Sequence, residues 1–412
     1  MGDTQALDIA RLGAQGDGIA ETPSGPVYVP YALPGEQVLV EARGDRARLV
    51  AVLSASADRV APQCRHFTHC GGCALQHLER TAYLAFKREL VAAAFAARGL
   101  EPPLAHVVSI GLGARRRATL SARRTGRGVV LGFYEAKGTE IVDLQECPVT
   151  ASAIVRALPG LKRLAEPLTS RRLPVRLTVT LAANGLDVAI EDFPGELGPE
   201  VREHLARAAA AAKLARVTLA GDTLYQSTVP AVRFGPANVV LPPRAFLQAA
   251  PAAEAEMVRL VTMAVGPAKR VADLFCGLGT FTFPLALNAA LLAVDGDRQA
   301  VGALQNAAKR TPGLKPIEAK VRDLFREPLS VKELEGFDAV VVDPPRAGAA
   351  QQAATLAMSR VATIVAVSCN PATLARDARI LVDGGYKLER VTPIDQFLYS
   401  PHVEAIAVFR QG

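Results

Sequence analysis

The feature that most constrains the fold is a set of four short, almost wholly apolar runs in the C-terminal part of the chain. They are Arg270–Phe275, Leu291–Asp295, Ala339–Asp343 and Ile364–Ser368. Near-continuous apolar runs are typical of parallel strands that are buried on both faces of a sheet. Because helix-period stretches lie between them, residues 241–412 predict a doubly wound, Rossmann-like α/β domain. Two further runs, Tyr386–Val391 and Val403–Phe409, suit a closing antiparallel hairpin.

The rest of the chain divides into three parts. Residues 1–56 carry strand-like runs at roughly ten-residue spacing between Gly and Pro turns, which predicts a small OB-like β-barrel. Residues 57–80 hold closely spaced cysteines. Residues 81–240 predict a β-rich central domain, which opens with an amphipathic helix over 83–98 that ends at Gly99.

The composition favours a cytoplasmic protein with a polyanionic partner. The formal net charge is +7, which mildly favours a nucleic acid. No apolar run reaches the roughly 20 residues that span a bilayer, and the N-terminus lacks a signal-peptide pattern. The six cysteines fit metal binding or catalysis better than disulfides in a reducing compartment. We expect no membrane partner and a monomer.

A glycine-containing turn follows the first apolar run, at Phe275-Cys276-Gly277-Leu278-Gly279-Thr280. Glycines allow a ligand to approach the backbone closely, and the spacing departs from the dinucleotide fingerprint Gly-x-Gly-x-x-Gly. Asp295 ends the second run, where a carboxylate can accept both ribose hydroxyls of a nucleoside. Asp323 follows a third strand and could hold an adenine amino group. Together these features resemble a class I S-adenosylmethionine-dependent methyltransferase.

A single cysteine stands at the end of the fourth run, in Val367-Ser368-Cys369-Asn370-Pro371. A thiol at that edge of an α/β sheet is a candidate nucleophile, although a lone cysteine is often only a small buried hydrophobe. Asp343 precedes Pro344-Pro345-Arg346, and the prolines end the strand so that the carboxylate reaches the cleft. A carboxylate accepts the N3–H of uracil, whereas N3 of cytosine is itself an acceptor. Glu404, before the last strand, is either a general base or a solvated residue.

Taken in order, Asp343-Pro344-Pro345-Arg346, Ser368-Cys369-Asn370-Pro371 and Pro401-His402-Val403-Glu404 resemble the RNA uracil-C5 methyltransferase family. The resemblance implies that Cys369 adds to C6 of uracil, that Glu404 removes the C5 proton, and that Asp343 holds the base. It also implies that the base contacts Phe246 and Gln248 in the family's Phe-x-Gln segment. The implied cofactor contacts are Gln248, Phe275, Gly277, Gly279, Thr280, Asp295, Asp323 and Asp343. Two positions depart from the family pattern, since Ala250 and Thr280 stand where asparagine is usual.

The remaining cysteines form a second group, in which Cys64, Cys70 and Cys73 lie close in sequence and Cys147 lies apart. By spacing alone, four thiolates suit tetrahedral zinc or a [4Fe–4S] cluster equally well. The segment resembles the cluster-binding segment of the same family, which implies a [4Fe–4S] cluster. Residues 1–56 resemble a TRAM domain, an OB-like RNA-binding barrel. A radical methylase that used such a cluster would normally carry its three cysteines as Cys-x3-Cys-x2-Cys. The spacing of Cys64, Cys70 and Cys73 differs from that pattern, which argues against this class of enzyme.

The barrel and cysteine segment resemble the bacterial ribosomal branch of the family, so we predict 23S rRNA as the substrate and tRNA as the alternative. A basic stretch, Arg115-Arg116-Arg117, predicts a strand face that tracks RNA phosphates, or else a merely solvated face. A catalytically silent RNA-binding protein is a further alternative. The presence of both Cys369 and Glu404 argues against this alternative.

Overall fold

The computed structural model describes residues 4–193, 195 and 197–412. The N-terminal part is a six-stranded sheet in the order β1-β5-β6-β4-β3-β2. Its strands are β1 (Thr4–Asp8), β2 (Arg11–Leu12), β3 (Gly18–Thr22), β4 (Gly25–Val29), β5 (Gln37–Arg43) and β6 (Arg46–Ser54). The sheet encloses a small apolar core that includes Val29, Val38 and Val40. It forms a half-barrel rather than a closed barrel, because β1 and β2 remain edge strands in the pairing.

Turns and isolated bridges carry the chain from β6 to α1 (Arg80–Ala96), and β7 (Val108–Ser109) follows. The helix was expected in the central domain, but Val91 and Phe95 pack into the core of the C-terminal sheet. β7 also extends that sheet, with Val108 opposite Ile394. The apolar face of the helix is visible in the sequence, whereas the residues that pack with Val91 and Phe95 in the C-terminal core lie more than 170 positions away along the chain.

The central part is a six-stranded sheet in the order β13-β12-β11-β10-β8-β9, flanked by two helices and followed by a small hairpin. Its strands are β8 (Arg117–Thr125), β9 (Gly128–Gly132), β10 (Val175–Ala182), β11 (Gly185–Glu191), β12 (Arg216–Leu219) and β13 (Asp222–Gln226). The helices are α2 (Ser152–Ala165) and α3 (Pro199–Ala211), and the hairpin is β14 (Ala231–Phe234) with β15 (Ala237–Val240). Leu158 and Leu161 of α2 pack with Leu205 of α3 over the strands.

The C-terminal part is an eight-stranded sheet in the order β18-β17-β16-β19-β20-β22-β21-β7. Its own strands are β16 (Arg270–Leu274), β17 (Ala290–Asp295), β18 (Ile317–Val321), β19 (Ala339–Val342), β20 (Thr363–Ser368), β21 (Tyr386–Asp395) and β22 (Glu404–Gln411). Its helices are α4 (Pro251–Val265), α5 (Thr282–Leu285), α6 (Arg298–Arg310), α7 (Val331–Leu334), α8 (Ala350–Ala357) and α9 (Pro371–Asp383).

Strands β16 to β20 pair in parallel, and β22 returns antiparallel to both β20 and β21. Helices cover both faces, since Ala272 and Leu274 of β16 pack in one core and Val271 packs in the core on the other side. The predicted doubly wound α/β class is therefore confirmed. None of the helices in the described residues has the length and apolar character needed to cross a membrane.

Candidate active site

Three of the predicted side chains lie at one edge of the C-terminal sheet. Asp343 directly follows β19, and Cys369 directly follows the neighbouring strand β20. Glu404 is the first residue of β22, which runs antiparallel to β20 with Ser368 opposite Ala405. That register places Cys369 and Glu404 at the adjoining ends of two paired strands. The edge is the one at which open α/β sheets bind their ligands.

A chain of hydrogen bonds joins the two carboxylates at this edge. The backbone N–H of Ala249 donates to Oε1 of Gln396 over 3.1 Å. Nε2 of Gln396 donates both to Oε1 of Gln248 over 3.0 Å and to Oε2 of Glu404 over 2.5 Å. Nε2 of Gln248 in turn donates to Oδ2 of Asp343 over 3.1 Å. Two buried amides therefore hold Asp343 and Glu404 in one network.

Both carboxylates have pKa values above their usual range. Burial raises the pKa of Glu404 to about 7, and the hydrogen bond from Gln396 acts against that rise. Burial, followed by the nearby carboxylates of Glu404, Asp273 and Asp295, raises the pKa of Asp343 well above its usual value. Such a cluster of carboxylates favours a cationic ligand, because a positive charge relieves their mutual repulsion.

The turn that carries Cys369 is fixed by hydrogen bonds of the next residue, Asn370. Asn370 caps α9 by accepting from the backbone N–H of Ala372, and its Nδ2 donates to the carbonyl of Arg346 over 3.0 Å. Burial, and then the charges of Glu404 and Asp343, raise the pKa of the Cys369 thiol to about 11, while Arg346 acts in the opposite direction. The thiol is half-buried, so it is open to a ligand from the cleft.

Phe246 precedes Gln248 by two residues and has 70% of its surface exposed, which is unusual for a phenylalanine. The guanidinium of Arg117 lies 5.9 Å from the centre of its ring. An aromatic ring supported from one side by an arginine offers its other face for stacking.

The three consecutive arginines do not form one basic face. Arg116 is buried, where it forms an ion pair with Glu254 and donates from Nε to the carbonyl of Gln248 over 3.0 Å. Arg117 supports Phe246, and Arg115 lies near the cysteine segment. The expectation of a phosphate contact at Arg116 is therefore corrected, because its guanidinium is used to fix the backbone beside Gln248.

The predicted cofactor residues gather at the ends of β16, β17 and β18. Phe275 and Gly279 both have positive φ, 61° and 95°, and a Cβ on Gly279 would meet the ring of Phe283 at 2.7 Å. Asp295 accepts from the backbone N–H groups of Gly277, over 2.8 Å, and Asp297, over 2.7 Å. The turn after β16 and the acidic end of β17 are thus bound to each other.

Two further predicted positions complete this end of the cleft. Asp323 is exposed, and its Oδ1 accepts from the backbone N–H of Phe325 over 3.0 Å. The ring of Phe325 lies 5.3 Å from that of Phe275. Thr280 is half-buried and follows Gly279 in the turn. Asp273 lies beneath the turn, fully buried, and accepts from the hydroxyl of Thr282 over 2.5 Å.

Cys64, Cys70, Cys73 and Cys147 line one cleft of about 1390 Å³ between the half-barrel, the central sheet and the loop before β22. Burial raises the pKa of Cys73 to about 12, and the other three thiols add to that rise. In the part of the chain that the structure describes, no group of three or more His, Cys, Asp or Glu side chains is arranged to hold a metal ion. The four thiols therefore line the same cleft, but they are not arranged around a single ion.

The cysteine segment contacts the loop that precedes Glu404. The backbone N–H groups of Ala74 and Leu75 donate to the carbonyl of Tyr399 over 2.8 and 3.1 Å. Tyr399 itself has a positive φ of 60°, which is strained for a tyrosine and needs support from its surroundings. The loop from Gln396 to Val403 thus joins the two thiol-containing regions.

A buried polar group of α1 holds the same loop. Nζ of Lys87 lies 2.8 Å from Oδ1 of Asp395, and the hydroxyl of Tyr83 donates to Oδ2 of Asp395 over 2.7 Å. Lys87 also donates to the carbonyls of Phe397 and His402, and the Tyr83 hydroxyl accepts from the backbone N–H of Tyr399 over 2.8 Å. Both ends of the loop are therefore attached to α1.

Sequence reasoning missed Gln396, Lys87 and Asp395 as parts of this site. Gln396 and Asp395 lie upstream of the Pro401–Glu404 motif and belong to no pattern of their own, and Lys87 lies on a helix that the sequence assigns to the central domain. The one available signal was a lysine on the apolar face of that helix, at a position that would otherwise be filled by a hydrophobe.

Comparisons with known proteins identify relatives over nearly the whole length of the chain. Residues 240–411 match the family model described as tRNA (Uracil-5-)-methyltransferase. An uncharacterized RNA methyltransferase of Caulobacter vibrioides is 49% identical, over 98% of this chain and 99% of that protein. The 23S rRNA (uracil(1939)-C(5))-methyltransferase RlmD of Chromohalobacter salexigens is 34% identical, over 97% of this chain and 88% of that protein.

The fold has a solved counterpart in the tRNA (uracil-54, C5)-methyltransferase of Pyrococcus abyssi, whose crystal structure contains S-adenosyl-L-homocysteine. The two chains superpose with a TM-score of 0.75 at 24% identity, over 98% of this chain and 100% of that one. The fold is thus shared over nearly the whole length. On the identity to its relatives and the family match, this chain belongs to the RNA uracil-C5 methyltransferase family of S-adenosylmethionine-dependent enzymes.

Proposed function

We propose that this protein methylates C5 of a uridine in 23S rRNA through a covalent adduct between Cys369 and C6 of the base. The observation that carries the proposal is the meeting of Cys369, Glu404 and Asp343 at one sheet edge, with two amides joining the carboxylates. Uracil C5 is a weak nucleophile, so the reaction needs a group that activates the ring before methyl transfer.

Cys369 supplies that activation. Its thiolate adds to C6, and the electrons of the C5–C6 double bond move toward C5 and the O4 carbonyl. A bound S-adenosylmethionine would supply an electrophilic methyl group, and C5 forms its new bond to that carbon as the S–CH₃ bond breaks and a neutral thioether leaves. Because burial and the neighbouring carboxylates keep Cys369 in its thiol form, attack requires a change in local charge when the ligands bind.

Glu404 completes the reaction as the general base. Its carboxylate takes the proton from C5, the C6–S bond breaks, and the ring regains its double bond while Cys369 leaves. A pKa of about 7 suits a base that works near neutral pH. Asp343 accepts the N3–H of uracil with the oxygen that Gln248 leaves free, and Phe246 stacks on the base.

The cofactor would be held by the turn after β16 and by acidic groups at the ends of β17 and β18. Phe275, Gly277, Gly279 and Thr280 form the turn, and Asp295 and Asp323 are the acidic groups that would take the ribose and the adenine. Asp343 and Gln248 border the same cleft on its substrate side. The carboxylates suit a cofactor that carries positive charge.

The N-terminal half-barrel would act as a TRAM-type RNA-binding domain, and the cysteine segment would hold a [4Fe–4S] cluster. The donor chemistry fits, since four thiols that form no disulfide line one cleft. The same four thiols would also suit one tetrahedral zinc, so the metal content of the purified protein decides between the two.

The choice between ribosomal and transfer RNA rests on the relatives. The ribosomal relative is 34% identical over nearly the whole chain, whereas the tRNA enzyme of Pyrococcus abyssi matches over the same length at 24% identity, and the family model named after tRNA enzymes covers only residues 240–411. We therefore favour 23S rRNA and keep tRNA as the second candidate.

The test is to map 5-methyluridine in 23S rRNA and in tRNA from a strain that lacks this gene. Complementation with the wild-type gene should restore the 5-methyluridine that is lost from 23S rRNA, and complementation with Cys369→Ala should not. Loss of the modification from tRNA alone would identify tRNA as the substrate. No change in either RNA would contradict the proposed function.

A further inference from the structure

Gln396 is a buried residue that has no part in the proposed reaction steps, yet it occupies the centre of the site's hydrogen-bond network. Only 2% of it is exposed. Its amide bonds to three partners, on the backbone at Ala249 and on the side chains of Gln248 and Glu404. A side chain that satisfies three polar groups in a buried site fixes the orientation of each.

We propose that Gln396 is a specificity-determining positioning residue that sets the direction of every hydrogen bond between Ala249 and Asp343. This inference rests on the proposed function and deepens it. It states which side chain makes the pocket complementary to uracil.

The donor and acceptor roles in this network follow from one group, the backbone N–H of Ala249, whose role as a donor is fixed. The Ala249 backbone N–H is a donor, so the atom of Gln396 that faces it must be the carbonyl oxygen. The NH₂ of Gln396 then faces Gln248, and only the carbonyl oxygen of Gln248 can accept from it. The NH₂ of Gln248 is consequently directed at Asp343. A glutamine amide is often ambiguous by rotation, but here the backbone removes the ambiguity.

The outcome for the substrate is a defined set of donors and acceptors. One N–H of Gln248 is used by Asp343, and the second is free to donate. Uracil offers an acceptor at O4 beside its N3–H donor, whereas cytosine offers an amino group and an acceptor at those two positions. With Asp343 ionised beside a positively charged cofactor, a Gln248 donor next to the Asp343 acceptor therefore matches uracil and opposes cytosine. If the side-chain amide of Gln248 were turned around, its free N–H would no longer face the position of O4, and the pocket would lose its match to uracil.

Gln396 also acts on the proposed base. Its second N–H donates to Oε2 of Glu404, which favours the ionised carboxylate. The other titratable groups near Glu404 are Asp343 after β19 and Cys369 after β20, with Arg346 beside Cys369. Among the described residues, neither Asp343 nor Cys369 donates a hydrogen bond to Glu404, so the amide of Gln396 supplies it.

The experiment compares wild-type protein with Gln396→Met, which has a similar volume and no polar group. Each is assayed on RNA with uridine or 4-thiouridine at the target position, because sulfur is a weaker acceptor than O4. Wild-type protein should methylate the uridine RNA about fivefold to tenfold faster in kcat/KM, the effect of one hydrogen bond. Gln396→Met should lose most of this preference, and the acidic limb of its kcat–pH profile should move to higher pH.

Gln352→Met is the matched control. Gln352 is also a buried glutamine of the C-terminal part, and it bonds to the backbone N–H and carbonyl of Leu329, away from the site. Its loss should lower stability and leave both the 4-thiouridine preference and the pH profile as in wild type. A purely structural role for Gln396 would make the two variants alike, and that result would overturn the proposal.

Gln396→Ala serves if the methionine variant does not fold. It removes the amide that donates to Gln248 and Glu404 without placing a large apolar side chain against them, so it should lose the preference as well. An unchanged preference there, or no preference in wild type, also overturns the proposal. Failure of the proposed function is separate, because wild-type protein would then fail to methylate uridine RNA at all.

Discussion

The two thiol-containing regions of this molecule are built on opposite principles. Cys369 faces carboxylates that the protein has already fixed with amide side chains and a backbone N–H. Cys73 instead faces Cys64, Cys70 and Cys147, and burial, followed by these three thiols, raises the pKa of Cys73. Burial is the main reason that the pKa is raised at both Cys369 and Cys73, but the charges that add to it are of different kinds.

The two regions therefore need different changes in local charge before their thiols can ionise. Thiols that oppose one another's ionisation can all ionise when a shared cation neutralises them, which is the environment of a metal cluster. A thiol opposed by fixed carboxylates can react when a ligand offsets those carboxylates. Substitutions at the sheet edge should therefore stop chemistry and leave the fold, whereas substitutions in the cysteine segment should act on metal content and stability.

The largest expected effect is at Cys369. Replacement by alanine removes the atom that attacks C6, so methyl transfer should fall by at least about 10⁴-fold, as for other nucleophiles. Cys369→Ala should also form no covalent complex with RNA that carries 5-fluorouridine, measured by a gel shift that survives denaturation. Methylation that persists in this variant would sink the covalent mechanism.

Glu404→Gln should separate the two halves of the reaction. Addition of Cys369 and methyl transfer remain possible, but no carboxylate takes the C5 proton, so turnover should fall by roughly 10²–10⁴-fold. A covalent enzyme–RNA complex should accumulate with ordinary uridine RNA, which wild-type protein releases. Lack of a trapped complex, with Cys369 intact, counts against Glu404 as the base.

Lys87 tests how the loop before Glu404 is held. Lys87→Met leaves Asp395 buried without its ion-pair partner, so the free energy of unfolding should fall by about 3–5 kcal/mol. Urea denaturation followed by circular dichroism measures the change. The double variant Lys87→Met/Asp395→Asn should recover much of the loss, because no isolated charge remains. Equal instability of the single and double variants would argue against the ion pair as the cause.

The cysteine segment should respond in metal content instead of chemistry. Protein purified without oxygen should hold about four irons per chain, and Cys147→Ser should hold fewer and melt at a lower temperature. Iron determination and visible absorbance measure the first effect, and calorimetry the second. One zinc per chain in a colourless protein would replace the cluster with a mononuclear site.

Much of the catalytic edge could be predicted because its residues follow local rules. Cys369 and Asp343 each end an apolar run at a proline-containing turn, so their position at the sheet edge follows from the run itself. The helix α1 was placed correctly in sequence but not in space, since no local pattern states which apolar surface covers Val91 and Phe95.

Arg116 and Gln396 show the second limit. An arginine between two arginines predicts a basic face, but burial against Glu254 reverses that prediction. Gln396 has no local signal for its role, because its three partners come from segments far apart in the chain. Networks of buried polar groups are set by tertiary contacts, which periodicity and spacing do not encode.

The smallest predicted effect concerns the reactivity of Cys369 toward a neutral alkylating agent. With a pKa of about 11, only a small thiolate fraction exists at neutral pH, so alkylation should rise steeply between pH 7 and 9, by less than about tenfold per unit because Glu404 gains its charge over part of this range. Mass spectrometry of the peptide that contains Cys369 distinguishes this thiol from those of the cysteine segment.

Two variants should change that rate in opposite directions. Glu404→Gln removes a negative charge that raises the thiol pKa, so Cys369 should react faster than in wild type. Because the pKa of Glu404 is about 7, its charge is largely absent at pH 6, and the two proteins should differ little there and severalfold at pH 8. Arg346→Gln removes a positive charge and should slow the reaction. If both variants shift the rate in the same direction, altered access and not charge controls the thiol, and the contrast with the cysteine segment loses its electrostatic basis.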